Sequence, residues 1–483
     1  MRPAFFVIGL TPFLASGSTW AEAPQPDETR FVRTETLQGV GKGLSSWCDF
    51  DDDGDVDVMI DGSLYQNGGD GSFRKVDMGV GGPGVWGDFD NDGLVDFFRF
   101  SGEGTLWRQV ESKKFEAVPF PGNPGPLMPR AAWADANNDG RLDLFVTNYE
   151  HPVTPNRFYL QNEDGTFAEP VNLMGKLGWS SRGADWGDFD NDGDQDLYVS
   201  NYRLMPNTFM VNRGRGTFAK QATARGVAGV ADGGVEPASG HYKAYKYHGH
   251  TIGSCWGDLN NDGNLDLFVV NFSHPPSYQD RPQVLINSGP PNYMFKDLNV
   301  NAGAGIYWQE SYAKGSLADY DNDGDLDIYI TTVYGGDHGD LFRNDGTGRF
   351  TPVGDALSLR TGSSYQVSWA DYDNDGDMDL LVDGVLFQNQ GNANAWLKVK
   401  VVGGAGSNMS AIGARITLKA GERTQIREVS GGNSGNQGPL VQHFGLGNHD
   451  GEVEVSVRFP SGKVGRWTVQ SRKQIVAHER EAE

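Results

Sequence analysis

The chain has 483 residues, with 40 Lys+Arg against 64 Asp+Glu, 67 Gly and 2 Cys. A net charge of −24 speaks against nucleic acid, whose phosphates need Lys/Arg stripes, and favours cations. Two cysteines are too few for a disulfide scaffold, no apolar run is long enough for a membrane span, and the glycine share points to a turn-rich all-β chain.

The chain opens with Arg2, a mostly apolar stretch from Ala4 to Leu14, and small residues from Ala15 to Ser18, with Ala21 or Ala23 ending an A-x-A-like site. This reads as a signal peptide over residues 1–21, and the mature protein is expected to be secreted or periplasmic.

One nonapeptide, D-x-[DN]-x-D-G-x-x-D, then recurs seven times, starting at Asp49, Asp88, Asp135, Asp188, Asp258, Asp319 and Asp371. The starts are 39, 47, 53, 70, 61 and 52 residues apart. Trp47, Trp86, Trp133, Trp186, Trp256 and Trp369 stand two residues before the first Asp, with Leu317 in the sixth copy. Two short apolar runs follow each copy, and a G-x-F element leads to a fourth, as at Phe73, Phe167, Phe218 and Phe350. Phe115 and Phe295 mark the same place less regularly. Four short strands per unit describe a propeller blade. The last copy lacks its terminal strand, and RFVRTE from Arg30 matches it, so Phe31 to Glu35 is predicted to complete the seventh blade and close the ring.

Beyond Ala393 the composition changes. Residues 393–483 carry 12 Lys+Arg and 8 Asp+Glu, net +4, leaving the first 392 with 28 against 56, net −28. Alternating runs such as WLKVKVVG and VEVSVRFP predict a separate β-sandwich. The expected architecture is therefore all-β: a seven-bladed β-propeller with calcium loops over 30–392, then a small β-sandwich domain over 393–480. The basic tilt of the tail either helps it dock on the acidic propeller or is ordinary surface variation.

The repeat has the chemistry of a hard-cation site. Calcium takes six to eight oxygens from carboxylates and carbonyls in flexible geometry. In each loop, positions one, three, five and nine supply side-chain oxygen and position seven its carbonyl. The predicted ligands are Asp49, Asp51, Asp53, Asp55 and Asp57; Asp88, Asp90, Asp92, Leu94 and Asp96; Asp135, Asn137, Asp139, Arg141 and Asp143; and Asp188, Asp190, Asp192, Asp194 and Asp196. The remaining loops offer Asp258, Asn260, Asp262, Asn264 and Asp266; Asp319, Asp321, Asp323, Asp325 and Asp327; and Asp371, Asp373, Asp375, Asp377 and Asp379. A glycine at the sixth place permits the sharp turn. An EF-hand is rejected, because a ninth-position Asp between strands replaces the twelfth-position Glu between helices. Asn137 and Asn260 lower the charge of two loops, so five to seven Ca2+ per chain are expected, with a structural role.

The loops and their Trp-Gly-Asp lead-ins resemble FG-GAP/VCBS repeats, as in the integrin α-subunit propeller. The tail resembles the ASPIC/UnbV domain through SNMSAIGARITL from Ser407, QIREVSGGNSGNQ from Gln425, HFGLG from His443 and VRFPSGK from Val457. One departure is Phe459, where a Trp is usual; it is expected to alter packing only. The two regions in this order resemble the secreted cartilage acidic protein family and its bacterial relatives. That resemblance implies a secreted calcium-binding protein linked to adhesion, with no defined catalytic activity.

Cys48 and Cys255 fall on blades that are not ring neighbours, so two free thiols are expected. The long, irregular connections of blades three to six, with the insertion from Gly226 to Ser254, lie opposite the calcium face. They carry the candidate ligand contacts Tyr149, His151, Tyr202, Arg203, Tyr245, His248, His274, Tyr278 and His338. The alternative is that these loops merely cover the channel mouth. The function expected is a non-enzymatic binding or adhesion module for an extracellular glycan or protein, with no nucleic acid and no membrane span. The alternative is a calcium-dependent carbohydrate-active enzyme of polysaccharide-lyase type, with the His/Tyr insertion as its one candidate site.

Overall fold

The computed structural model describes residues 29–37, 40–102, 104–121, 130–148, 155–174, 180–229, 249–273 and 281–483. The predicted signal peptide lies outside the described residues. Each repeat forms one antiparallel sheet. The first runs Ser45–Cys48, Asp57–Ile60, Ser63–Asn67 and Phe73–Val76, in that order. Hairpins without side-chain demands are closed by left-handed turns, as at Asp61 and Gly62, with φ of 46° and 78°. The innermost strands neighbour one another in chain order, and Val367–Ala370 neighbours Ser45–Cys48, which closes a ring. Phe31–Arg33 pairs with Val385–Asn389, so the N-terminal strand completes the last sheet as predicted from the sequence.

One sheet differs from the expectation. The third has three strands, and its Phe167 element is reduced to the isolated bridges Gln161↔Phe167 and Phe158↔Val171. Pro170 lies between them and has no N–H to donate to a ladder.

The repeat signature is largely inter-blade mortar. The tryptophans before the loops are buried or half-buried, and each of several packs on the glycine of the preceding Trp-Gly-Asp. A Cβ on Gly87 would meet Trp133 at 3.1 Å, one on Gly187 would meet Trp256 at 3.0 Å, and one on Gly257 would meet Leu317 at 2.7 Å. The ninth-position Asp of every loop is buried. One of its oxygens accepts the N–H of loop position two, and the other accepts the N–H of an Asn or Gln ending the third strand. Those amides, on Asn67, Gln109, Gln161, Asn212, Asn287, Asn344 and Asn389, then donate to the position-two carbonyl of the preceding sheet. Asn67 thereby reaches Tyr372 O at 2.7 Å across the closure.

The tail forms two sheets of its own. In one, Ala395–Val402 lies between Gln442–Gly447 and, in parallel, Lys473–His478; the other has the order Arg423–Glu428, Arg415–Ala420, Glu452–Arg458, Val464–Gln470. Phe459 is buried in its core. That core is not separate, however. Leu397, Ile416 and Phe444 belong to one apolar cluster with Val85, Phe98, Trp133 and Leu144 of the second and third sheets. The segment 430–438 also runs into the ring. Gly431 bridges Trp133, Asn433 bridges Asp185 and Gln437 bridges Ser46. The Gln437 amide bonds both N–H and carbonyl of Trp86, at 2.7 and 2.9 Å. Asn436 donates to Val367 O at 2.8 Å, Lys314 donates to Asn433, and Ser434 Oγ accepts from Ser254 N–H. The segment thus touches the inner strand of every sheet.

Asn344 donates to Leu259 O and to Leu326 O, both at 2.9 Å, and its own oxygen accepts two glycine N–H groups. Asn344→Ala orphans these buried groups and is expected to cost about 2–4 kcal/mol in chemical denaturation. A cost below ~0.5 kcal/mol would show that the amide link does not hold neighbouring sheets together.

Candidate metal centres and the opposite face

The loops wrap on themselves in one way. In the fourth, Asp188 accepts the N–H groups of Asp192 and Gly193, each at 3.1 Å, and Asp192 accepts that of Asp194 at 2.9 Å. Gly193 has φ 98° and Asn191 φ 58°, so both the predicted glycine and the residue at position four are left-handed. Asn suits that conformation, which accounts for its frequency at position four.

Five sets of carboxylate oxygens converge to within 4.8 Å: Asp49, Asp51, Asp53; Asp88, Asp90, Asp96; Asp188, Asp190, Asp196; Asp319, Asp321, Asp327; and Asp371, Asp373, Asp379. These are the five loops with acids at all four ligand positions. Oxygens without any hydrogen-bond partner are buried in the same five: Oδ1 of Asp51, Asp90, Asp190, Asp319, Asp371 and Asp373. In four of these residues the second oxygen is tied: Asp373 Oδ2 accepts from Gln388 at 2.6 Å, Asp51 Oδ2 from Gln66 at 2.7 Å, Asp319 Oδ2 from Gly324 N–H at 2.9 Å and Asp371 Oδ2 from Gly376 N–H at 3.1 Å. One oxygen held and the other bare, among like charges, is the donor set of a hard cation.

The third and fifth loops lack this arrangement among the described residues. Asn137 and Asn260 donate to Asp139 and Asp262, each at 2.9 Å, and Arg141 ion-pairs Asp139. Those loops neutralise part of their own charge. Asp57, Asp92, Asp192, Asp323 and Asp375 are not members of the converging sets, and Asp135, Asp143, Asp258 and Asp266 form no set of three. In five loops the position-seven side chain meets an asparagine of a neighbouring loop. Asn374 donates to Asp55, Asn261 to Asp325 and Asn322 to Asp377, each at 2.7 Å, while Asn138 and Asn191 reach Asp194 and Asn264. Leu94 offers no side-chain oxygen. These position-four asparagines link loop to loop and were missed in the sequence, where they look like filler.

The tail covers this face with cations. Lys398 Nζ lies 2.6 Å from Asp371 Oδ2, Lys400 lies 2.6 Å from Asp52 and 3.8 Å from Asp49, and Arg458 ion-pairs Asp188. Gly445 N–H donates to Asp319 Oδ2 at 3.0 Å. The basic tilt of the tail thus corresponds to real docking contacts. Between tail and loops lies a cavity of about 540 Å3, bordered by Cys48, Leu94, Lys400, Met409, Leu440 and Val476. Cys48 and Cys255 are both buried and free.

Of the candidate ligand contacts, Tyr149, His151, Tyr245, His248, His274 and Tyr278 lie outside the described residues. Tyr202 is held between the Arg182 guanidinium, 3.9 Å from its ring, and the His250 ring at 4.5 Å. Arg182 also bonds Tyr365 at 3.1 Å, from the fourth sheet to the seventh. Arg203 adopts φ 59°. His338 stands apart from that group, 3.1 Å from the Tyr307 hydroxyl, which donates to Asp340 at 2.5 Å. The sequence signalled the loops but not Arg182 or Tyr307, which sit on or beside strands.

FG-GAP-like repeats match residues 88–146, 135–199, 258–330 and 319–382, and ASPIC and UnbV matches residues 404–483. Cartilage acidic protein 1 of Mus musculus is 26% identical over 378 residues, covering 71% of this chain and 53% of the relative. That of Homo sapiens is 26% identical over 369 residues, covering 69% and 50%. The chain thus spans about half the length of the curated relatives it matches. A crystal structure of a Lactobacillus plantarum protein aligns with TM-score 0.42 at 10% identity, covering 73% of this chain and 95% of that one.

Two outcomes are expected. Elemental analysis should find five tightly held Ca2+, and Asn137→Asp with Asn260→Asp should raise that count; two or fewer ions would defeat the assignment. Burial is the first cause that raises the loop carboxyls of the ion-free protein above 3.8, to about 6 at Asp49, 7 at Asp88, 8 at Asp57 and 9 at Asp96. The folded chain therefore binds these protons more tightly than the unfolded one. In chelator, stability should be fullest below about pH 4 and fall as pH rises through about 6 to 9. A chelated protein that gains stability over that window would contradict this. Repeats of the FG-GAP type, each supplying one sheet, and a tail matching ASPIC and UnbV over its length place the chain among the proteins that join FG-GAP-like repeats to an ASPIC and UnbV domain.

Proposed function

We propose that the protein is a secreted, calcium-stabilised, non-enzymatic module that binds an extracellular glycan or protein through the face opposite its metal loops. The observation that carries the calcium reading is the set of bare, buried oxygens confined to the five fully acidic loops. Held that way, calcium removes the mutual repulsion of the carboxylates and adds about 1.4 kcal/mol per site at ten times its Kd. The ligand would come to the other face because the tail lies over the metal loops. Long connections on a rigid ring, with Arg182 over the Tyr202 ring and His250 edge-on to it, suit an anionic or sugar surface.

Tyr307 between His338 and Asp340 favours the lyase reading as a second one, since a tyrosine and a histidine move protons in such chemistry. A glycan array run beside a lyase assay on acidic polysaccharides separates the two. Binding without turnover is expected. Tyr202→Ala and Arg203→Ala should weaken the array signal at least tenfold with calcium content unchanged. Turnover abolished by His338→Ala would replace the binding reading with the enzymatic one.

A further inference from the structure

Inside the ring, three chemically complementary side chains from distant parts of the chain converge. Lys314 belongs to the inner strand Tyr312–Ala318 of the sixth sheet, Asp185 to Ser181–Gly187 of the fourth, and Asn433 to the segment the tail inserts. Lys314 Nζ lies 2.8 Å from Asn433 Oδ1 and 2.9 Å from its main-chain oxygen. Lys314 is 3% exposed and Asp185 2%. The Ser254 and Ser434 hydroxyls both point at Asp185 Oδ2, and Asp185 Oδ1 has no partner. Asn433 is placed by its bridge to Asp185 itself. A cavity of about 210 Å3 borders all three residues and leaves room for a small leaving group.

We propose that Lys314 and Asn433 become joined by an intramolecular isopeptide bond, with Asp185 as the proton carrier, so that the tail is covalently fastened inside the ring. The neutral Lys314 amine attacks Asn433 Cγ. A new C–N bond forms, the bond from Cγ to Nδ2 breaks, and Nδ2 departs as ammonia. Nζ loses one proton and the leaving nitrogen gains one; Asp185, which borders the same cavity without bonding either nitrogen directly, is the group assigned to carry it. The exchange of one amide for another consumes no oxidant, no reductant and no water.

Two features favour the chemistry over a plain hydrogen-bonded lysine. Burial is the main cause that lowers Lys314 from 10.5 to about 8 and raises Asp185 from 3.8 to about 6. Both groups thus move towards the uncharged forms that the attack and the proton transfer use. The two groups are also already in contact: the Lys314 nitrogen lies 2.8 Å from the oxygen of the amide it would attack, so only a short shift and loss of a proton separate the hydrogen bond from attack on Cγ.

The test is peptide mapping of the full-length protein after denaturation and trypsin digestion, read by tandem mass spectrometry. The expected product is one branched species that joins the Lys314 and Asn433 peptides, lighter than their sum by about 17 Da, the mass of ammonia, with no cleavage after Lys314. Lys314→Arg and Asp185→Asn should each yield linear peptides. A wild-type digest with a cleaved Lys314 peptide and an intact Asn433 peptide overturns the bond, whether or not the variants fold. So does a lone Asn433 peptide lighter by the same mass, which would be a succinimide. A branched species persisting in Asp185→Asn overturns the role given to Asp185.

Discussion

The structure depends on one buried carboxylate repeated around a ring. The ninth Asp of each loop spends both oxygens on backbone N–H groups, one in its own loop and one at the end of the third strand. That second bond fixes an Asn or Gln whose amide donates to the loop of the preceding sheet. Each sheet is therefore held in register internally and tied to its neighbour by the same residue pair. A buried Asp or amide without its partner costs more than the bond returns, so the arrangement is self-checking: a sheet that slips strands several groups at once.

Charge decides how the rest is arranged. Loops with four or five acids in nine residues cannot stay compact on hydrogen bonds alone, because every added bond still leaves like charges within a few ångströms. The third and fifth loops relieve this with Asn and Arg side chains. The other five keep bare oxygens, and the tail brings Lys398, Lys400 and Arg458 to Asp371, Asp52 and Asp188 of three of them.

The tail is the element whose relation to the ring differs most from a simple appended domain. Its two sheets are its own, yet Leu397 and Phe444 share an apolar cluster with Trp133, and its 430–438 segment satisfies inner-strand groups of every sheet. The innermost strands of the ring present edge N–H and C=O groups, and something must meet those groups. Here a glycine-rich segment does so because it brings little bulk: a Cβ on Gly431 would sit 2.2 Å from Trp133 O and one on Gly435 1.8 Å from Arg130.

By itself the sequence determined the repeat, the all-β ring, the closing strand at Phe31 and the acidic loops. All of these rest on short-range patterns, in which residues a few positions apart share one turn or one strand and so must appear together in the chain. It also separated the five fully acidic loops from the two with Asn137 and Asn260. What it did not reveal were the partners of Asn67 and its six counterparts, the docking of Lys398 on Asp371, and the meeting of Lys314, Asp185 and Asn433. Asn67 and Tyr372 are 305 positions apart, and Asp185 and Ser434 are 249. Only closure of the ring and insertion of the tail bring such residues within bonding distance, because these contacts depend on where whole sheets lie and not on any local spacing.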